Sequence, residues 1–440
     1  MTKQRDSLFT PRSSAEVARR ALRGGALSVA AQAVRGVVEG GGTLLLARTL
    51  APAEFGLVDM IVSITGVVDL LKDFGLSSAT IQRHTIDHAQ VSLLFWINCG
   101  VGLALTLIIM ALAPVLALLY SHPELRALTW ALSLNTLLGA LSVQHQALLR
   151  RDLRFGALAA IDTASAFLST GAALWVAYAG FGAWALVARQ LMRNAAQALA
   201  AWQLCSWRPT RPARADVREL LRFGGHVSTF QIVNYLERNA DNILIGRFAG
   251  ARALGFYTKA YGLMRVPLDQ INNFSNVMVP ALSRLLSDPA RYLQAYRSVA
   301  ALFLLLTIPL APLALYSADW FIPALLGEPW RGSVAVFRWL ALALLVRPIM
   351  NSGGWLFLSQ GRTFELRRWG FLAAGLAITS FLIGLPWGSL GVAAAYSVLE
   401  LTLRGPLWLL TVGRSGPVHA RHVLAAAAPA WTAAAAIALT

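Results

Sequence analysis

STFQIVNYLERNADNILIGRFAGARALGFYTKAYGLMRVPLD, residues Ser228 to Asp269, is the stretch whose reading decides the fold. Its first half has the aliphatic content of a membrane helix, yet it holds Asn234, Glu237, Arg238, Asn239, Asp241 and Asn242. An ionised side chain at the bilayer centre costs about 2.5–3.5 kcal/mol on insertion scales, so such groups persist where they face a protein interior or a water-filled cavity. Asn234, Arg238 and Asp241 follow one another at steps of four and three and share one helix face. Leu236, Ile243, Leu244 and Ile245 supply the apolar side. The pattern predicts a cavity-lining helix at the start of the second half of the molecule.

The rest of the chain is the right solvent for such a helix. Of 440 residues, 57% are hydrophobic and 13% charged, against about a quarter charged in a soluble domain. Mean hydropathy is +0.57. Runs of about 20 apolar residues suffice to cross a hydrocarbon core of about 30 Å. Here they are long and Leu/Ala-rich, unlike the short alternating strands of a membrane barrel. An all-α polytopic membrane protein is expected, with spans at 25–47, 57–81, 91–119, 127–149, 156–178, 184–204, 222–247, 254–283, 296–318, 333–358, 369–386, 389–411 and 422–440.

The formal net charge of +17 would suggest a nucleic-acid partner in a soluble protein. In a membrane protein it follows from the positive-inside rule, and nucleic acid is excluded as the partner. With the N-terminus inside, 23 of the 38 Lys and Arg fall on inner segments and 5 on outer loops, so the N-terminus is placed in the cytoplasm. The two cysteines, Cys99 and Cys205, give no disulfide framework.

Domain boundaries follow from the loops. Residues 1–24 form a basic cytoplasmic tail, too long and too charged for a typical cleaved signal. Residues 25–206 form an N-lobe of six helices, and 207–221 a basic, Pro-containing cytoplasmic linker. Residues 222–412 form a C-lobe of six helices, and 413–440 a further helix in which the chain stops, as if truncated. An internal repeat supports two lobes: LLLARTLAPAEFGLV, with Arg48 and Gly56, is echoed by ILIGRFAGARALGFY, with Arg247 and Gly255, at an offset of 199. GAWALVA from Gly182 is echoed by GVAAAYS from Gly391 at an offset of 209. Both halves start on the same side, so a pseudo-twofold axis along the membrane normal should relate them.

Further polar stripes run inside the spans. The first helix carries Ser28, Gln32, Arg35 and Glu39, with Arg35 and Glu39 able to pair, followed by Gly40, Gly41 and Gly42, which permit a close approach or a bend. The second carries Asp59, Ser63, Gly66, Asp69 and Asp73, with Lys72 beside them. The eighth presents Tyr261, Arg265, Asp269, Asn272 and Asn276, and Lys259 and Arg347 are further intramembrane cations. Each pair taken singly could be structural. Inter-helix polar contacts in membranes average well under about 1 kcal/mol, however, so stability alone does not select so many. The candidate cavity residues are therefore Arg35, Glu39, Asp59, Asp69, Lys72, Asn234, Arg238, Asp241, Lys259, Arg265, Asp269 and Arg347, lining a hydrated, net cationic cavity between the lobes.

Other chemistries leave no signature. None of the three lysines sits in a phosphate-cradling G-x-x-x-x-G-K loop, and no G-x-S-x-G elbow occurs. His84 and His88 in HTIDH have helical metal-pair spacing but no third ligand nearby, and read as a solvated loop. Tyr120, Trp207 and Trp330, at span ends, read as interfacial anchors. No catalytic residue, metal or cofactor is assigned.

The block from Phe230 to Arg284, with NYLERNADNILIGRFAGARALGFYTKAYGLMRVPLDQI and then VMVPALSR, resembles the Wzx-type oligosaccharide flippases and polysaccharide exporters of the multidrug/oligosaccharidyl-lipid/polysaccharide (MOP) superfamily, above all its colanic-acid and succinoglycan exporter branch. LARTLAPAEFGLVDM and FGLSSATIQR match the same family. The resemblance implies two six-helix lobes in a V, a central cavity and alternating access in a bacterial cytoplasmic membrane. It implies a lipid-linked oligosaccharide substrate; a proton or sodium ion is a candidate driver, and polysaccharide polymerase or export machinery a candidate protein partner. Only the motif positions Arg238, Asp241, Arg247 and Gly255 carry over, and the family's C-terminal helix pair is incomplete here. A multidrug or cation antiporter of the same superfamily is the alternative, and a membrane polysaccharide polymerase or ligase is a third reading, disfavoured because every outer loop is short.

Overall fold

The computed structural model describes residues 14–71, 76–83, 86–211, 218–414 and 416–439. Lys72 lies outside them, and so do the side chains of Asn234, Asn272 and Asn276. Every described element is helical. In chain order they are α1 (Ser14–Thr49), α2 (Pro52–Leu71), α3 (Leu76–Gln82), α4 (His88–Tyr120), α5 (Leu125–Arg151), α6 (Phe155–Tyr178), α7 (Trp184–Leu204), α8 (Arg218–Arg284), α9 (Pro289–Thr307), α10 (Leu310–Leu326), α11 (Ser333–Leu342), α12 (Arg347–Ser359), α13 (Thr363–Gly384), α14 (Gly388–Leu399), α15 (Gly405–Val412) and α16 (Ala420–Leu439). A π turn, Glu400–Arg404, joins α14 to α15.

Among the described residues helices fall in each expected span, but not all of them are apolar enough to pass as membrane spans by composition. Among the described residues five stretches pass: His88–Tyr120, Phe155–Tyr178, Pro289–Leu326, Thr363–Val412 and Ala420–Leu439. A sixth is added if α11 and α12, bent by 43° at their break, count as one. The striped helices α1, α2 and α8 are not among them, and α2 alone carries three carboxylates, Glu54, Asp59 and Asp69. The molecule is a multi-pass membrane protein.

The two quoted repeats share a local geometry. In the first, α1 ends at Thr49 and α2 begins at Pro52. In the second, the helix is interrupted at Gly250, whose φ of 83° lies in the left-handed region that favours glycine. The interruption therefore falls at the same register in both, within the motif that begins with Arg48 and Arg247.

The chain divides into two compact units, 1–239 and 240–440. The division falls inside α8, beyond the 207–221 linker expected from the sequence. On the first unit's side of that division the Tyr235 hydroxyl donates to the Val62 carbonyl at 2.7 Å, which ties this part of α8 to α2. The ring occupies the space that only a glycine leaves at Gly66, where an added Cβ would lie 2.0 Å from the hydroxyl oxygen.

In the first unit α4 packs on α5, α6 on α7, and α1 on α6. Gly42 lets α1 approach α6 so closely that an added Cβ would meet the Thr170 methyl at 2.3 Å. The glycine run thus serves close approach and not a bend, because α1 is one continuous helix. Phe95, Leu148, Leu149 and Trp207 bury together at the ends of α4, α5 and α7. Trp207 is a core residue and not an interfacial anchor, and Tyr120 and Trp330 are likewise buried. Span-end position alone does not say which way a ring faces. Tyr178, Trp320 and Trp387 are among the aromatics that are exposed instead. The HTIDH segment is also more structured than a solvated loop. Asp87 caps α4 by accepting from the Gln90 amide at 2.7 Å, and His88 meets Ser92 at 3.3 Å, while His84 lies outside the described residues.

In the second unit α13 packs on α14, α10 on α11, and α9 on α16. The break between α11 and α12 frees backbone groups that need partners. The Trp431 indole of α16 donates to the Leu345 carbonyl at 3.0 Å and supplies one. Gly353 on α12 lets the buried Trp408 indole pass over the helix, and an added Cβ there would lie 1.6 Å from the ring. Gly353→Ala should therefore lower stability by about 1–3 kcal/mol through overpacking. Thermal unfolding of the detergent-purified protein reads this as a lowered midpoint, and Gly354→Ala, which has open space, is the control.

Candidate functional site

Each unit holds one cluster of ionised residues within its helices. In the first unit α1 supplies Arg35 and Glu39 one turn apart, 3.9 Å between Nε and Oε1. Arg35 also reaches Asp162 on α6 at 3.3 Å. Arg193 on α7 pairs with Glu39 at 2.9 Å. Arg189, one turn earlier, donates to the Thr43 hydroxyl at 2.8 Å and to the Glu39 carbonyl at 2.9 Å. Gln197, one turn later, donates to Asp162 at 3.2 Å. Three guanidinium groups thus face two carboxylates across three helices. Beside them lies a cavity of about 220 Å³, lined by Gln32, Arg35, Leu158 and Asp162 among others. Its mixed lining suits an amphiphile or a chain of waters.

Asp69, also expected at the site, accepts from the Thr136 hydroxyl of α5 at 2.6 Å. Asp59 is half-buried on the same helix, where its backbone carbonyl accepts from Ser63 at 2.6 Å. Arg238 is exposed.

The second cluster is drier. Asp241 is buried and accepts from the Tyr257 hydroxyl at 2.8 Å and from the Asn242 amide at 2.8 Å. Tyr257 stacks on Tyr261 with ring centroids 6.0 Å apart. Arg347, the first residue of α12, donates to the Tyr396 hydroxyl and lies 3.5 Å from Glu400. Glu400 pairs in turn with Arg404. Arg265 and Asp269 pair with each other at 2.9 Å along α8, with 41% and 49% of their side chains exposed. Lys259 is half-buried.

The twelve expected residues therefore do not all meet one another. Arg35 and Glu39 share one cluster, Asp241 and Arg347 belong to the other, and Arg265 with Asp269 forms a separate exposed pair. Five participants escaped the sequence reading: Asp162, Arg189, Arg193, Glu400 and Arg404. A signal was present for most of them. RQLMRNAAQ places Arg189, Arg193 and Gln197 at steps of four, and ELTLR places Glu400 and Arg404 one turn apart. Asp162 is a lone carboxylate in an apolar run, and such a residue in a span is a functional-site candidate by itself.

The profile of the family described as polysaccharide biosynthesis protein matches residues 45–335. The chain belongs to that family. The teichuronic acid biosynthesis protein TuaB of Bacillus subtilis is 29% identical over 342 residues, covering 77% of this chain and 71% of TuaB. The lipopolysaccharide biosynthesis protein WzxC of Escherichia coli is 26% identical over 365 residues, covering 81% and 74%. The succinoglycan biosynthesis transport protein ExoT of Rhizobium meliloti is 24% identical over 303 residues, covering 68% and 60%. Among solved structures, the lipid II flippase MurJ in an inward closed conformation superposes with a TM-score of 0.69 at 14% identity, covering 92% of this chain and 91% of MurJ. An inward-facing multidrug resistance transporter of the MOP superfamily superposes with a TM-score of 0.63 at 14% identity, covering 94% and 99%. The fold is that of the MOP superfamily.

The two kinds of ion pair predict opposite sensitivities. Glu400→Ala would leave the buried Arg404 and the partly exposed Arg347 without their carboxylate and should cost about 3–5 kcal/mol. Asp269→Ala removes one partner of a half-exposed pair and should cost no more than about 1 kcal/mol. Thermal unfolding midpoints of the two purified variants, measured side by side, check the order.

Proposed function

We propose that this protein flips polyprenyl-diphosphate-linked oligosaccharide repeat units across the bacterial cytoplasmic membrane for surface polysaccharide synthesis. The observation that carries the reading is the excess of guanidinium groups over carboxylates in the cluster that joins α1, α6 and α7, Arg35, Arg189 and Arg193 against Glu39 and Asp162. A sugar head group cannot cross hydrocarbon unaided, and its diphosphate seeks arginine, whose planar fork matches phosphate oxygens. Membership of a polysaccharide biosynthesis family supports a glycan cargo. The names of WzxC, TuaB and ExoT, each tied to a surface or secreted polysaccharide, support it further.

On this reading the chain is a transporter and not an enzyme, with its N-terminus cytoplasmic and its two halves arranged as six-helix lobes with one additional helix. The lobes alternate access to the two sides, driven by a proton or sodium gradient. Arg35, Lys72, Arg238, Lys259, Arg265 and Arg347 attract the diphosphate into a hydrated cavity. Glu39, Asp59, Asp69, Asn234, Asp241 and Asp269 balance those charges or carry the coupling ion. A polymerase or export complex receives the product.

The second reading, a multidrug or cation antiporter, would call for an acidic and aromatic cavity, and the arginine excess of the α1–α6–α7 cluster disfavours it. Reconstitution of the full chain in vesicles with fluorescent lipid-linked glycan tests the proposal. Arg238→Ala/Arg265→Ala should lower transport at least about tenfold, the loss expected when charge-assisted phosphate contacts are removed. Unchanged transport would remove the cationic head-group site, and efflux of cationic dye without glycan movement would favour the antiporter.

A further inference from the structure

Three ionised side chains meet at the π turn of the second unit, and their arithmetic is unequal. Arg404 Nη1 and Arg347 Nε both address the same carboxylate oxygen, Glu400 Oε1, the first at 2.5 Å and the second at 3.5 Å. Glu400 Oε2 and the Nε atoms of both arginines make no hydrogen bond among the described residues. One carboxylate cannot neutralise two guanidinium groups. The shorter contact belongs to Arg404, whose side chain is 6% exposed, as buried as Glu400 at 0%. Arg347 keeps 23% of its side chain exposed. Its other polar contact is the neutral Tyr396 hydroxyl, and the Tyr396 ring lies 5.4 Å below its guanidinium. The nearby carboxylate of Asp241 is already committed to the Tyr257 hydroxyl and the Asn242 amide, and acts on Arg347 only through its field.

We propose that Glu400 is a positioning residue for Arg347, and that Arg404 is the counter-ion that keeps Glu400 from neutralising it. Arg347 is thereby held in place with its charge still available to a phosphate anion. The inference rests on the reading that the cargo carries a diphosphate. It assigns a role to the local backbone as well: π turns are rare and gather at functional sites, and this one carries both Glu400 and Arg404. The charge count makes the proposal specific. The three groups together carry one excess positive charge. Removing Arg404 leaves Arg347 and Glu400 as a closed neutral pair. Removing Glu400 and Arg404 together restores one free cation at Arg347.

The test measures binding of inorganic diphosphate to the full chain, purified in detergent, by titration calorimetry. The parent should bind diphosphate, and Arg347→Leu should weaken binding more than about tenfold. Arg404→Leu should weaken binding about tenfold, and Glu400→Gln/Arg404→Leu should return it to within about twofold of the parent. A role confined to packing predicts no such reversal of anion affinity. Should Arg404→Leu fail to fold, Arg404→Gln makes the same comparison, because it also removes the charge. Parent-like binding in the Arg404 variant overturns the proposal. So does a double variant no better than the single, and so does a response to phosphatidylglycerol micelles without a response to diphosphate. Absence of diphosphate binding to the parent also overturns it, while leaving glycan transport in vesicles to be judged separately. A parent that binds diphosphate in this pattern but moves no glycan keeps the charge assignment and defeats the transport reading.

Discussion

The constraint on which the rest depends is the cost of holding a guanidinium group inside an apolar helical body. A charge there must be paired or hydrated. Each unit meets this differently. In the first, Glu39 and Asp162 stand between three arginines on three helices, and hydroxyl, carbonyl and amide groups of Thr43, Glu39 and Gln197 complete the shell. In the second, the pairing is tight and buried around Glu400. Among the described residues the arginines find their partners on neighbouring helices, which ties those helices together. Small residues make the approach possible: Gly42 against Thr170, and Gly353 against Trp408.

The same requirement applies to the backbone. A helix that is interrupted in a membrane exposes carbonyls and amides that water cannot reach, so irregular backbone is tolerated only where protein covers it. At Leu345 the cover is Trp431, a residue some eighty positions later on the last helix. This gives α16 a structural role in the second unit: it closes the break between α11 and α12. Arg347 begins α12 directly after that break. The residue most exposed in the Arg347–Glu400–Arg404 group therefore stands at the point where the helix direction changes.

Much of this was legible in the chain, and what was not has a physical cause. Span positions were readable because about 20 apolar residues in a row have few alternatives. The interruption near Arg48 and Arg247 was readable because the motif is repeated with its glycine. Pairing across helices was not readable. Arg35 could be matched to Glu39 by helical spacing, but its approach to Asp162 depends on the packing of α1 on α6. The facing of rings was also hidden. Trp207 and Trp387 both sit at helix ends, yet one is core and the other exposed, because tertiary neighbours and not depth decide the matter. The unit boundary was not readable either. A charged, Pro-containing linker marks where the chain is polar, whereas the division falls inside α8, after the anchored Tyr235.

The modest strength of intramembrane pairs bears on how such clusters could work. Polar contacts between membrane helices contribute on average well under about 1 kcal/mol, because the separated helices also find partners. Clusters that hold the helices only weakly can be rearranged at small cost. A multiply charged anion offering two phosphates would compete for the arginines of the first unit with Glu39 and Asp162, each of which offers one carboxylate. Exchange of partners would then release the carboxylates without leaving a guanidinium bare. In the second unit Arg404 and Glu400 are too buried to exchange in this way, and only Arg347 has an exposed edge. A ligand that moves past both kinds of site would disturb the first and leave the second intact, so the displaceable pairs and the fixed pair suit different tasks, yielding in one unit and holding in the other.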